Sequence, residues 1–146
     1  MQNKSYQFVH LFKLNWHKAA AYCRSQGLFL VSIHNEAQLE GIMRYLNETG
    51  YYQNENILQV WTSGNDLGEY NQFVWTSTGE RIVIDRWTRG EPNHVLHNKE
   101  KCMVEHCVAL QHYTTSTEVH PVPIVYSLDD RPCEWQYNFI CESLDG

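Results

Sequence analysis

The stretch Glu105-His106-Cys107-Val108-Ala109-Leu110, followed by Leu128-Asp129-Asp130-Arg131-Pro132-Cys133 and then Asn138-Phe139-Ile140-Cys141-Glu142, decides the reading of this 146-residue chain. Aromatic, β-branched and other apolar residues over 103–111, 124–128 and 138–142 predict three strands. Acids stand close before two of the cysteines: Glu105 before Cys107, and Asp129-Asp130 before Cys133. A third group of oxygen-bearing side chains, Glu91-Pro92-Asn93, lies just upstream.

Working outward, residues 5–12 are rich enough in aromatic and β-branched side chains for an opening strand. Asn15 reads as a helix cap. After it Trp16, Ala19, Ala20 and Cys23 fall on one helical face, and Gly27 stops the helix. A second helix is predicted from 35 to 46, capped by Asn35, with Leu39, Ile42, Met43 and Leu46 on one side. Beyond Gly50 the helical period disappears and short strands are expected at 58–62, 72–76 and 81–84, before the three already named. Helices first and strands afterwards, with the last strand free to pair with the first, give an α+β fold over residues 5–144 as one domain. Loops at 50–58, 63–71, 85–102 and 112–123 are long for such a domain. Long loops on a rigid scaffold usually bind something.

Composition narrows the classes. The chain carries 19% charged residues, a formal charge of −6, five Trp, nine Tyr and five Phe, so it folds around an ordinary core. Trp16, Trp61, Trp75, Phe73 and Phe139 are expected in that core. No Lys/Arg block offers a phosphate backbone a partner, which argues against nucleic acid. No apolar run approaches the roughly 18 residues of a membrane span. The five cysteines form no CxxC pair, and Cys102-x4-Cys107 lacks the second pair that a structural zinc site needs. Sequons at Asn3 and Asn47 join these cysteines in indicating a secreted, extracellular setting, although residues 1–4 carry no apolar leader.

Carboxylate and amide oxygens without clustered thiolates suit a hard cation such as Ca2+, which takes about six to eight oxygens in flexible geometry. A cis bond before Pro92 would aim the Glu91 and Asn93 oxygens the same way. The histidines 94, 97, 106, 112 and 120 read as solvated loop residues in preference to a zinc cluster.

Taken in order, these residues resemble the C-type lectin-like domain over 6–142. The resemblance is carried by Cys23, Val60-Trp61-Thr62-Ser63-Gly64, Phe73-Val74-Trp75, Trp87, Gly90-Glu91-Pro92-Asn93, Glu105 to Val108, Asp129-Asp130 before Cys133, and Phe139-Ile140-Cys141-Glu142. The run Trp61-Thr62-Ser63-Gly64-Asn65-Asp66-Leu67-Gly68 is most similar to secreted insect lectins. The resemblance implies disulfides Cys23–Cys141 and Cys107–Cys133. It also implies one Ca2+ held by Glu91, Asn93, Glu105, Asp129 and Asp130, with sugar contacts from Glu91, Asn93, Glu105 and Asp129. Glu-Pro-Asn goes in that family with equatorial vicinal diols of the mannose, fucose or N-acetylglucosamine type. Here Asp129 stands where the family usually has Asn, so one amide donor to the sugar becomes an acceptor. His94 and His106 occupy the places of an auxiliary ion site, so a second ion is not expected. They also suggest release of ion and sugar on mild acidification.

A second Glu-x-Cys, Glu100-Lys101-Cys102, competes for the role of Glu105 and Cys107. Glu105 is preferred because Val108-Ala109-Leu110 continues as a strand, which leaves Cys102 unpaired or intermolecular. The expectation is therefore a glycan-binding protein, not an enzyme, acting in innate immunity or cell-surface adhesion. Weak single sugar sites call for an oligomer, disulfide-linked through Cys102 or non-covalent. The alternative is a lectin-like fold that binds a protein partner, favoured by Asp129 and by the insert at 111–125.

Overall fold

Asn15 opens the first helix by accepting the Lys18 N–H on its Oδ1 at 2.9 Å, and Gly27, at φ 74°, turns the chain away in the left-handed conformation that suits glycine. The computed structural model describes residues 4–49, 57–87, 96–98, 103–113 and 126–143, with the side chains of 47, 57, 96–98, 103–104 and 112–113 excepted. The elements are β1 (Tyr6–Leu14), α1 (Trp16–Ser25), β2 (Phe29–Leu30), α2 (Glu36–Thr49), β3 (Ile57–Asn65), β4 (Val74–Trp75), β5 (Glu80–Arg81), β6 (Leu96–Asn98), β7 (Met103–Tyr113), β8 (Ser127–Pro132) and β9 (Tyr137–Glu142). This is the α+β class read from the sequence.

Several boundaries differ from the pattern reading, each for a local reason. In α2, the Asn35 Oδ1 accepts the Gln38 N–H at 2.9 Å while the Gln38 Oε1 accepts the His34 N–H at 2.7 Å, a reciprocal cap. The helix continues past Leu46 because the Thr49 hydroxyl satisfies the Leu46 carbonyl at 2.9 Å. Strands β4 and β5 are two residues each, shorter than expected, and the turn between them passes Gly79 at φ 78°. Strand β8 spans Ser127–Pro132 and so contains Asp129 and Asp130, which the sequence reading set beside a loop. Aspartate is a poor strand former, but an in-register ladder with β7 overrides that preference.

The sheet runs β1-β9-β3-β7-β8. The last strand lies against the first, antiparallel, with Phe8 opposite Ile140, and on its other side runs parallel to β3 with Trp61 opposite Phe139. Alternate residues of these central strands feed two cores, because successive side chains of a strand point to opposite faces. Val60, Val108, Leu110 and Ile140 pack with Leu39, Ile42 and Leu46 of α2. Trp61, Cys107, Ala109, Phe139 and Cys141 pack with Trp16, Ala19 and Cys23 of α1. Burial on both faces explains why these strands read as nearly continuous apolar runs. All five Trp and Phe residues expected in the core are buried there.

The two disulfides are Cys23–Cys141, which joins α1 to β9 across a sequence separation of 118, and Cys107–Cys133, which joins β7 to the end of β8. Gly64 permits the close approach of β3 to β7, since a Cβ there would sit 2.8 Å from the Val108 Cβ. Glu142 is fully buried; its Oε1 accepts the Ser32 N–H at 3.0 Å and the Ser32 hydroxyl at 2.7 Å, and its Oε2 meets the Lys4 ammonium at 3.2 Å. Replacing Glu142 with Ala is expected to lower the unfolding free energy by about 2–4 kcal/mol in urea titrations, since it strands a buried hydroxyl and amide. Gly64→Ala is expected to cost about 1–3 kcal/mol through overpacking against Val108, measured the same way.

Candidate functional site

The acids singled out in the sequence lie at the β8 edge of the sheet, and the ladder decides which of them meet. Register pairs Ala109 with Asp129, Val108 with Asp130 and Cys107 with Arg131, with an irregularity between Glu105 and Cys107. Asp129 and Arg131, two apart, share the face of Ala109 and Gln111, whereas strand alternation sends Asp130 to the other. Glu105, Asp129 and Asp130 are all buried. Cys107–Cys133 staples the two strands here, so the acids cannot slide relative to one another.

Arg131 holds two of these acids together. Its Nη2 donates to the Asp129 Oδ2 at 2.6 Å and to the Gln111 Oε1 at 3.1 Å, and its Nη1 donates to the Asp130 carbonyl at 3.0 Å and lies 3.6 Å from the Glu105 Oε2. Burial of the guanidinium works to lower its pKa, but the charges of Asp129, Tyr137 and Glu105 and the hydrogen bond to Asp129 outweigh it and hold the group above the ordinary arginine value. It is a permanent cation here. The other carboxylate oxygen, Asp129 Oδ1, is buried with no hydrogen-bond partner among the described residues.

The neighbouring loop is organised by β3. Thr62 ties β3 to β7 through its hydroxyl, which donates to the Val108 carbonyl at 2.8 Å, and its own carbonyl accepts the Trp16 indole N–H at 2.8 Å. Asn65 donates from Nδ2 to the Ser63 carbonyl and to the Thr76 hydroxyl, and accepts the Leu67 N–H. Asp66, buried, accepts the Asn71 N–H on Oδ2 at 2.8 Å and faces the His106 Nδ1 with Oδ1 at 2.8 Å. Asn71 sits at φ 63°, closing the turn. His106 is thus drawn to Asp66 and the 66–71 loop.

Two predicted ligands, Glu91 and Asn93, lie outside the described residues, as do Cys102, Glu100, His94, His120, Asn3 and Pro92. The flanks of their segment are described. On one side Trp87 bridges Leu128, next to Asp129, and the Leu128 N–H donates to the Arg86 carbonyl at 2.7 Å. On the other, Leu96 in β6 pairs with Val104, next to Glu105. Among the described residues no group of three or more His, Cys, Asp or Glu is arranged to hold a metal ion. The donor chemistry nonetheless suits a hard cation: Glu105 and Asp129 are buried carboxylates bridged by a cationic group, and Asp129 keeps an orphan oxygen.

A model of the C-type lectin domain matches residues 12–143 of the chain. The chain belongs to the C-type lectin family. That family and fold are non-enzymatic and bind carbohydrate. C-type lectin 37Da of Drosophila melanogaster is 31% identical over 97% of this chain and 69% of its own length, and C-type lectin 37Db of the same fly is 30% identical over 92% and 75%. Among solved structures, the C-type lectin domain of murine dendritic cell inhibitory receptor 2 in complex with N-glycan aligns at TM-score 0.69 and 21% identity over 98% of this chain and 91% of that one.

Sequence reasoning did not single out Arg131, Gln111 or Asp66. Arg131 stands two residues after Asp129 in a strand, a spacing that puts a cation and an acid on one face; the strand boundary at 128 hid it. Replacing Asp66 with Ala is expected to lower stability by about 1–3 kcal/mol in urea titrations, by removing the carboxylate that accepts the Asn71 N–H and faces the His106 Nδ1. The His106 ring signals should shift with it in NMR spectra.

Proposed function

We propose that this lectin domain binds carbohydrate through Ca2+, with Glu91, Asn93, Glu105, Asp129 and Asp130 as the ligand set, as C-type lectins generally do. The observation that supports this most is the placement of the two described flanks: Trp87 bridges Leu128, next to Asp129, and Leu96 pairs with Val104, next to Glu105. Flanks held at those two points support counting Glu91 and Asn93 in the set with the two buried carboxylates. When bound, the ion supplies coordination positions for two vicinal sugar hydroxyls. Glu91 and Glu105 accept hydrogen bonds from those hydroxyls, and the Asn93 amide donates to them.

The sugars favoured by this reading are mannose, fucose and N-acetylglucosamine, which present equatorial vicinal diols. A relative named C-type lectin mannose-binding isoform, from Notechis scutatus scutatus, is 28% identical over 88% of this chain, which supports that choice. Asp129 cannot donate, so one hydroxyl loses a partner at a cost of about 1 kcal/mol, roughly fivefold in affinity. Binding is therefore weak per domain, and surface recognition requires several copies, linked through Cys102 or by non-covalent assembly. No helix among the described residues is long and apolar enough to cross a membrane. The disulfides and the Asn3 and Asn47 sequons support secretion and glycosylation, and recognition of microbial or host glycans is the role that fits.

A second reading, binding of a protein partner with sugar recognition lost, is favoured by one observation: the Asp129 carboxylate is engaged by Arg131 at 2.6 Å. A glycan array separates the two. The expected outcome is binding to mannose- or fucose-terminated glycans that a chelator abolishes; no glycan bound at any Ca2+ concentration selects the protein-binding reading.

A further inference from the structure

We propose that Arg131 is a tethered competitor for the divalent cation, holding its place in the folded domain until an ion displaces it. The proposal rests on the calcium reading of the site and adds how that site is controlled. The guanidinium meets the Asp129 carboxylate, the Gln111 amide oxygen, the Asp130 carbonyl and, at 3.6 Å, the Glu105 carboxylate. Every one of these atoms is an oxygen, and oxygens are what a hard cation takes. The side chains are largely withdrawn from water: Arg131 is 16% exposed, Glu105 and Asp129 each 4%.

Two buried carboxylates on neighbouring strands call for a counter-charge. Here the chain supplies the charge from β8 itself, two residues beyond Asp129, so the competitor is always present at high local concentration. Arginine does not deprotonate at any physiological pH, so the competitor keeps its charge there. A divalent ion brings a larger charge to the same oxygens. The apparent ion affinity is then the intrinsic one reduced by the fraction of molecules in which Arg131 has left. Asp129 Oδ1, buried and without a partner among the described residues, is an oxygen that Arg131 leaves unused.

The consequence is a domain that folds with its acids neutralised in the absence of ion, and loads ion only where the concentration is high. The test compares wild type, Arg131→Gln and Arg131→Lys in the full chain, with Arg44→Gln as a control that removes the same charge from an exposed position on α2. Two quantities are measured: Ca2+ affinity by calorimetry, and melting temperature in chelator and in Ca2+. Arg131→Gln is expected to bind Ca2+ at least tenfold more tightly than wild type. It is expected to melt about 4 °C or more lower in chelator, and to regain that loss in Ca2+. Arg131→Lys, a point charge without the fork, should fall between, and Arg44→Gln should change affinity by less than about twofold.

Equal or weaker Ca2+ affinity in Arg131→Gln, or an unchanged melting temperature in chelator, overturns the proposal, and so does the failure of both proteins to bind Ca2+. The sugar reading is judged separately, on the wild-type glycan array. Tighter Ca2+ binding by Arg131→Gln alongside no glycan binding would leave the competitor standing and remove the sugar reading. Chelator-sensitive glycan binding with no gain in Arg131→Gln would do the reverse.

Discussion

The placement of β9 between β1 and β3 is the constraint on which the rest of the structure depends. The sheet's centre is closed by the last strand of the chain, so neither core is complete until residues 137–142 arrive. Phe139 and Cys141 complete the core under α1, and Ile140 completes the one under α2. Cys23–Cys141 locks the arrangement across a separation of 118, and a loop near that size is worth up to about 4.7 kcal/mol in the chain-entropy model. Glu142 adds a polar lock by binding the chain at Ser32, between β2 and α2, and Lys4 beside β1. Contacts so distant in sequence imply slow folding relative to a helical domain of this size.

From that centre, rigidity is passed outward to the β8 edge. Thr62 couples β3 to β7 and to Trp16 of α1, Gly64 lets the strands approach, and Cys107–Cys133 joins β7 to the end of β8. The proposed site therefore rests on strands, with the 66–71 turn held beside it by Asp66 and His106 and with Trp87 and Leu96 fixed next to Leu128 and Val104. A site on strands holds its donors more closely than one carried wholly by loops.

The electrostatics of that edge explain a tension in the ligand set. Family resemblance implies five oxygen ligands and one ion, while the ladder separates Asp129 from Asp130 and gives Asp129 to Arg131. Buried acids need a counter-charge whether or not an ion is present, and a strand that carries its own arginine meets that need. The Asp at 129, in place of the family's usual Asn, and Arg131 are two parts of one arrangement, since an amide would not hold a guanidinium as an ion pair.

Much of this was legible in the residues. Helical spacing with Asn15 and Asn35 as caps located both helices, and the acid-cysteine groupings marked the parts of β7 and β8 that the Cys107–Cys133 disulfide joins. Residue identity favoured a hard cation over a thiolate zinc site, because the groupings offer oxygens and no paired thiolates. Strand limits were less legible, because Asp129 and Asp130 have low strand propensity and only their ladder with β7 places them in β8. The two-residue strands β2, β4 and β5 are too short to carry a period. What the tertiary structure alone decided is which acids meet and which cation they meet. That depends on register, on the alternation of faces and on a guanidinium reaching two residues back along its own strand, and none of these is written in the order of residue types.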